Sequence, residues 1–302
     1  MFKTKIFIIV ILSFLFADPA SALQIQDFIS GQEDNGISAE AYLVVDYASG
    51  QVLLQKNPQE LRVPASLAKL ITALVVLDHN PSLSRNISMA KKDEVGGARV
   101  ASKPGVAYKI KDLFNAMLVG SANNAANALA RSTGLSREQF VGEMNKKAKD
   151  LGALNTGFVD PSGISEKSYT TAEDFAELAK AAFAQPLIVK AAETAEYSFR
   201  STNNSRYRHK IKNTNKLLGD GSLNIIAGKT GYLNESLYNF TALIKDQLGH
   251  ENIVVLLGAK NTQSQFGEAK QLAFLSALAR PMLNLGSLVF GTTTKTTLNF
   301  NP

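Results

Sequence analysis

The run from Arg62 to Asp78 constrains this chain more than any other stretch. From Leu67 onward it is apolar on nearly every side, and a helix of that kind has to be buried rather than laid on a surface. Pro64 suits the position just before or at the first turn. Two polar residues interrupt the apolar run early, Ser66 and Lys69. Three residues apart, they share nearly one helix face, about 4.5 Å apart along the axis. An ammonium group out of water is costly, and desolvation lowers a lysine's pKa. A lysine so tuned stays neutral and can take the proton of a nearby serine. Ser66 would also sit at the helix N-terminus, where free N–H groups favour developing negative charge. Ser-x-x-Lys is nonetheless a common pattern. A second copy, Ser88 to Lys91, lies in a polar region without an apolar run.

Few function classes survive the composition. The chain has 302 residues, enough for one large domain or two modest ones, with 45% hydrophobic and 19% charged residues. These proportions are ordinary for a globular protein and exclude a disordered chain or a coiled coil. Cysteine is absent, so disulfides and thiolate metal sites are excluded. The three histidines, His79, His209 and His250, are scattered without metal-ligand spacing, so no zinc enzyme and no metal is expected.

Residues 1–22 read as a cleaved signal peptide. Lys3 and Lys5 form a basic start, Ile6 to Phe16 an apolar run too short to span comfortably, and Ala20-Ser21-Ala22 a small-residue cleavage site. An uncleaved anchor is the weaker alternative. The protein is therefore expected outside the cytoplasm, in the periplasm if the source is Gram-negative. Losing Lys3, Lys5 and Asp18 lowers the formal charge by one from +6. This mild basicity is spread along the chain and first describes a soluble surface. Beyond that it fits loose proximity to anionic wall polymers or a membrane surface better than nucleic acid.

Along the chain, Ala41 to Asp46 and Gln51 to Gln55 read as a hairpin around Tyr47-Ala48-Ser49-Gly50. A mostly helical block follows over about 64–195. Its helix starts include Ser136-Arg137-Glu138-Gln139 and Thr171-Ala172-Glu173-Asp174. Tyr197 to Arg200 reads as a strand, and the basic cluster Arg206, Arg208, His209, Lys210 and Lys212 as a solvated loop. Ile225 to Gly231, Leu237 to Ile244 and Ile253 to Leu257 read as an antiparallel meander, and Gly267 to Leu283 as a closing helix. The pattern predicts one α+β catalytic domain over 23–284. Its sheet comes from about 38–56 and 197–284, the helical block packs against it, and a loose tail covers 285–302.

Three polar signals then line up in order. Ser66-x-x-Lys69 opens the buried helix, Ser121-Ala122-Asn123 lies in a break between helices, and Lys229-Thr230-Gly231 ends an apolar strand. The middle triplet alone is weak, since Ser84, Ser201 and Ser222 also begin Ser-x-Asn, whereas Lys-Thr-Gly occurs once. The ordered trio resembles the signature of the penicillin-recognising serine enzymes. Val63 to Leu70, Ser121 to Ala126, Leu154 to Gly163, and Lys229 to Tyr232 with Tyr238-Asn239-Phe240 are similar to segments of the D-alanyl-D-alanine carboxypeptidases, peptidase family S11. The likeness covers roughly residues 38–280.

That resemblance implies a β-lactamase/DD-peptidase-like fold with a five-stranded antiparallel sheet. It implies a reaction on peptidoglycan stem peptides through an acyl-enzyme on Ser66, with β-lactams as covalent inhibitors and no cofactor. Lys69 would be the base, and Ser121 would relay a proton to the leaving amine. Asn123 would hold the substrate amide and the lysine. Lys229 and Thr230 would receive a carboxylate, and Gly231 would allow close backbone approach. The N–H groups of Ser66 and Tyr232 would form the oxyanion hole.

Two departures stand out. Where many members carry an arginine after the last strand, this chain has Lys260, which keeps the charge but loses the bidentate fork. The short C-terminal part also resembles the D,D-endopeptidase branch, so cutting cross-links is the alternative to releasing terminal D-alanine. Other readings are a class A-like β-lactamase, for which Glu166 is the available glutamate, a non-catalytic wall-binding protein, and a Ser–Lys protease acting on proteins. A Ser-His-Asp hydrolase finds no G-x-S-x-G and only His79 beyond the helix.

Overall fold

The apolar runs become the middle of a five-stranded antiparallel sheet. In the computed structural model, which describes residues 36–219, 221 and 223–290, its strand order is β2-β1-β9-β8-β7. Its members are β1 (Ala41–Asp46), β2 (Val52–Lys56), β7 (Asn224–Leu233), β8 (Leu237–Lys245) and β9 (Glu251–Ala259). β1 and β2 form the expected hairpin. Asp46 stabilises its turn by accepting from Ser49 N and Ser49 Oγ at 2.7 and 2.6 Å. β1 then pairs with β9 in the register Val44↔Val254, which joins the two distant strand runs into one sheet.

Both faces of the central strands are covered. Leu43, Val45, Ile253, Val255 and Leu257 point into one core, and Tyr42, Val44, Val254 and Leu256 into the other. β1 and β9 therefore read as continuous apolar runs rather than alternating ones. The second core is closed by α7 (Thr262–Phe290), which starts before and ends after the expected closing helix. The helix thus takes in positions 285–290 of the expected loose tail. The expected signal segment 1–22 and positions 291–302 lie outside the described residues.

On the other face sits the helical block: α1 (Lys69–Asp78), α2 (Ile110–Val119), α3 (Asn123–Ser132), α4 (Arg137–Asp150), α5 (Ala172–Phe183) and α6 (Pro186–Ala192). α1 is buried on every side from Lys69 to Val76, as its composition demands. Two helix starts carry the expected caps. Ser136 Oγ accepts from Gln139 N while Gln139 Oε1 accepts from Ser136 N, and Thr171 Oγ1 accepts from Asp174 N.

The block also contains a short pair of strands, β3 (Asn86–Ser88) and β4 (Ala107–Lys109). The strand expected at Tyr197–Arg200 forms as β5 (Glu196–Arg200), but it does not join the main sheet. It pairs with β6 (Arg208–Lys212), inside the expected basic loop, as a separate hairpin. Alternate residues explain why this was hidden. Arg208, Lys210 and Lys212 face solvent while His209 and Ile211 turn inward, and His209 Nε2 lies 2.9 Å from Tyr108 Oη.

Candidate active site

Ser66 is not on the α-helix proper. It lies in a tight 3-10 turn, Ala65–Ala68, that leads into α1 at Lys69. The turn begins with a strained residue, Ala65, at φ 49°. Two glycines hold it in place. Gly163, at φ +69°, packs so closely that a Cβ there would collide with the Ala65 carbonyl oxygen. A Cβ on Gly231 would lie 2.9 Å from the Pro64 carbonyl oxygen and 3.3 Å from Ser66 N. The edge strand β7 and the 160–163 loop thus clamp the nucleophile's turn from two sides. Asn239 of β8 adds a third tie, donating from Nδ2 to Val63 O at 2.9 Å and accepting from Gly258 N at 2.9 Å.

Lys69 is fully buried. Its Nζ lies 2.7 Å from Ser66 Oγ, 2.7 Å from Asn123 Oδ1 and 2.5 Å from the Ser162 carbonyl oxygen. The last two groups can only accept. A neutral amine has two N–H donors and one lone pair, so serving both acceptors leaves the lone pair for the Ser66 hydroxyl. Burial, reinforced by the charge of Lys229, drives the Lys69 pKa well below a lysine's ordinary value, and Asp160 opposes this in part. Donor count and electrostatics agree on a neutral lysine positioned as a base.

The second triplet brings in Ser121 and Asn123. Ser121 occupies the break between α2 and α3 at φ 58°, and Asn123 is the first residue of α3. Asn123 Nδ2 donates to Gly96 O at 2.9 Å, which fixes the amide so that its oxygen faces Lys69. The third triplet supplies Lys229, whose Nζ donates to Ser121 Oγ and to Thr230 O, each at 2.9 Å. Burial lowers its pKa to about 7. Thr230 Oγ1 donates to Thr214 Oγ1 at 2.6 Å.

These residues open on one cleft of about 630 Å³. Ser66, Ser121, Asn123, Thr230, Gly231 and Tyr232 all line it. Tyr232 is half exposed at the rim and packs against Tyr238, ring centroids 4.5 Å apart. Lys260 is different: it is exposed just past β9 and does not line the cleft, whereas Lys216 does. Glu166 is also exposed and outside the lining, so it is not placed to activate a deacylating water. Ser88 and Lys91 are both exposed, away from any such assembly, and His79 is exposed at the far end of α1. Among the described residues no group of three or more His, Cys, Asp or Glu could hold a metal ion.

Four contributors were not among the expected site residues, although two of them lie in the Leu154 to Gly163 segment: the Ser162 carbonyl, Asp160, Thr214 and Lys216. The Asp160 carboxylate accepts from Ser162 N at 2.7 Å, Ser162 Oγ at 2.6 Å and Ser165 N at 3.0 Å. Burial raises its pKa, but these hydrogen bonds outweigh it and leave the carboxyl below its usual value. Asp160 thereby shapes the loop that presents Ser162 O to Lys69. Asp-Pro-Ser-Gly was legible as a loop, but a backbone carbonyl leaves no residue-type signal.

A serine beside a buried neutral lysine, with a second serine bonded to a second buried lysine, defines a Ser–Lys acyl-transfer hydrolase. A family model described as D-alanyl-D-alanine carboxypeptidase matches residues 28–261, and the chain belongs to that family of serine-type D-Ala-D-Ala peptidases. It is 33% identical over 230 residues to a D-alanyl-D-alanine endopeptidase of Haemophilus influenzae, covering 76% of this chain and 77% of that protein. It is 33% identical over 273 residues to the D-alanyl-D-alanine carboxypeptidase DacC of Escherichia coli, covering 86% of this chain and 65% of that one. Among solved structures, a D-alanyl-D-alanine carboxypeptidase from Mycobacterium tuberculosis superposes with TM-score 0.71 at 26% identity, covering 87% of this chain and 95% of that one. Penicillin-binding protein D2 from Listeria monocytogenes, in its ampicillin-bound form, superposes with TM-score 0.71 at 26% identity, covering 81% of this chain and all of that one.

Proposed function

We propose that this chain hydrolyses the amide between D-alanine and a following D-residue in peptidoglycan stem peptides, with release of terminal D-alanine as its basic reaction. The observation that carries this reading is the Lys69 amine, buried and shared among Ser66 Oγ, Asn123 Oδ1 and Ser162 O.

Ser66 Oγ gives its proton to Lys69 and attacks the D-alanine carbonyl. The N–H groups of Ser66 and Tyr232 face the developing oxyanion. The carboxylate beside the scissile nitrogen lies against Lys229 and Thr230. Ser121 passes a proton to the departing amine, and water then releases the acyl group from Ser66. A β-lactam follows the same path as far as the ester, because its four-membered amide presents an equivalent carbonyl and carboxylate. No step calls on a metal or organic cofactor.

Export places the enzyme beside its substrate. The basic start, apolar run and Ala20-Ser21-Ala22 of residues 1–22 support secretion through a cleaved signal. The exposed Arg200, Arg208, Lys210 and Lys212 on the β5–β6 hairpin support loose contact with an anionic wall or membrane surface.

The test is incubation of the purified chain with a stem pentapeptide and with labelled penicillin. Release of D-alanine and labelling of Ser66, both absent in Ser66→Ala, are expected. Unchanged release in Ser66→Ala would overturn the mechanism.

A further inference from the structure

Asn123 turns its amide oxygen to Lys69 because its nitrogen is engaged elsewhere. Asn123 Nδ2 donates to Gly96 O at 2.9 Å, and Asn123 N donates to Ala98 O at 2.7 Å. Gly97, between them, lies so near that a Cβ there would stand 2.6 Å from Asn123 Nδ2. The segment 94–100 therefore sets the orientation of this amide. It contains no helix or strand, and Gly96, Gly97, Ala98 and Arg99 are all exposed, so burial does not hold its middle in place. We infer that Asn124 is a positioning residue for acylation: it pins the 94–100 segment so that the Gly96 carbonyl keeps the Asn123 amide oxygen on Lys69. The inference rests on the reading of Lys69 as the base that activates Ser66.

Asn124 is 1% exposed, and both ends of its amide are in use. Oδ1 accepts from Val100 N at 2.9 Å, while Nδ2 donates to Val100 O at 2.9 Å and to Glu94 Oε1 at 2.8 Å. Val100 N can only donate and Val100 O can only accept, so this amide has one orientation. It joins the two ends of a segment whose middle holds Asn123. Further along α3, Asn127 Nδ2 donates to Asp93 O at 3.0 Å. Arg131 Nε and Nη2 donate to the Asp93 carboxylate at 3.2 and 2.9 Å. Spacings of three and four residues put Asn124, Asn127 and Arg131 on one helix face. Asn127 and Arg131 fix the entry to the segment, and Asn124 ties that entry to its exit at Val100.

The effect reaches Lys69 through the donor count. With Oδ1 facing it, Asn123 takes one N–H of the neutral amine and leaves the lone pair for the Ser66 hydroxyl. Once Gly96 O shifts, the Asn123 amide is free to turn over. Its Nδ2 then donates to the Lys69 lone pair and competes with Ser66 for it. The same turn takes an acceptor away from the ammonium form, which lowers the Lys69 pKa further. The charges acting on Lys69, Lys229 of β7 and Asp160 of the 160–163 loop, belong to other elements and stay in place. Loss of Asn124 thus slows proton transfer and also moves its pH dependence. A loop that served stability alone would do neither to the folded protein.

The test measures the rate constant for acylation by labelled penicillin as a function of pH. Asn124→Ala is expected to acylate about tenfold more slowly at its optimum. Its rising limb should move to lower pH while the falling limb stays. Asn124→Asp sets a carboxylate against Glu94 and Val100 O and is expected to show the same shift. Adding Glu94→Gln to it restores a donor across that contact, so the double variant is expected to regain part of the lost rate. Glu94→Ala removes one tie at an exposed position, where folding is not at risk, and is expected to give the same shift in smaller measure. Arg280→Ala, away from the cleft, controls for lost stability and is expected to keep the wild-type profile. A wild-type rate in Asn124→Ala, or an unmoved rising limb in both Asn124→Ala and Glu94→Ala, would overturn the inference while leaving Lys69 as the base. Absence of penicillin labelling in wild type would overturn that underlying reading as well.

Discussion

Lys229 Nζ donates to Ser121 Oγ across 2.9 Å, and this bond fastens the edge strand of the sheet to the break between α2 and α3. Lys229 is 1% exposed and Ser121 7%, so the contact is shielded from water and electrostatically strong. The same lysine raises the cost of charging Lys69. One residue of β7 therefore positions Ser121 and adds to the burial that keeps Lys69 neutral. Lys229→Gln keeps a polar side chain but removes both effects. It is expected to lower kcat/KM for stem-peptide hydrolysis by roughly 10²-fold, and penicillin labelling should slow with it.

Lys69→Met removes the base and leaves Asn123 Oδ1 and Ser162 O without a donor. Acylation by penicillin should fall by about 10²–10⁴-fold. Leaving two buried acceptors unsatisfied should cost about 1–3 kcal/mol of stability, partly offset because an amine is no longer buried. Stopped-flow acylation and a denaturant titration read the two effects separately.

The two lysines also set the pH response. Lys69 is depressed by burial and by its neighbour's charge, Lys229 by burial alone to about 7, so the favoured single-cation state is neutral Lys69 with charged Lys229. The rate of penicillin acylation should rise as Lys69 loses its proton and fall as Lys229 loses its own near pH 7. The two limbs belong to the coupled pair rather than to either residue alone. Stability moves by the same linkage. Lys229 has its folded pKa below a lysine's ordinary value of 10.5, so the unfolded chain binds more protons between about 7 and 10.5. Its contribution to stability therefore increases as pH rises through that window. Unfolding of the wild type relative to Lys229→Met should shift in favour of the wild type over the same range. A flat difference would show that burial does not depress Lys229.

Gly163→Ala tests the clamp on the nucleophile. Gly163 sits at φ +69° with its Cα against the Ala65 carbonyl, so an alanine there meets both backbone strain and a collision. A loss of about 1–3 kcal/mol is expected. Because the displaced group belongs to the turn of Ser66, acylation should slow as well.

Arg280 fastens α7 to the sheet at the end away from the cleft. Its Nη1 and Nη2 lie 2.6 Å from Asp46 Oδ2 and 2.7 Å from Asn252 Oδ1. Arg280→Ala should cost about 1–3 kcal/mol by leaving a largely buried carboxylate short of a partner. Penicillin labelling of the folded protein should stay unchanged. A thermal melt together with a labelling assay distinguishes this from a catalytic effect.

The reading of the chain succeeded where the signal is local. A helix apolar on all sides must be buried, so Ser66 and Lys69 had to share an enclosed face. Lys229-Thr230-Gly231 stood out because Lys-Thr-Gly occurs once in the chain, at the end of an apolar strand and in order after the other two triplets. It failed at β5 and β6, because a strand with alternate basic residues looks like a solvated loop until Tyr108 and His209 meet across the fold. It also chose Lys260 as the outer cation, whereas Lys216 lines the cleft. Which of two surface lysines faces a hollow depends on the path of the 213–217 segment, which no residue pattern records.

Residue order alone determined the buried helix, the three polar triplets and the two separated strand runs, because spacing along a helix or strand reports which faces leave water. The tertiary structure decided the partners. β1 reached β9, β7 became the edge that meets the turn of Ser66, and the Ser162 carbonyl came within 2.5 Å of Lys69. Contacts between residues far apart in sequence arise from closing the sheet around two cores. A backbone carbonyl is the same chemical group in every residue, so only its final position could give it a role.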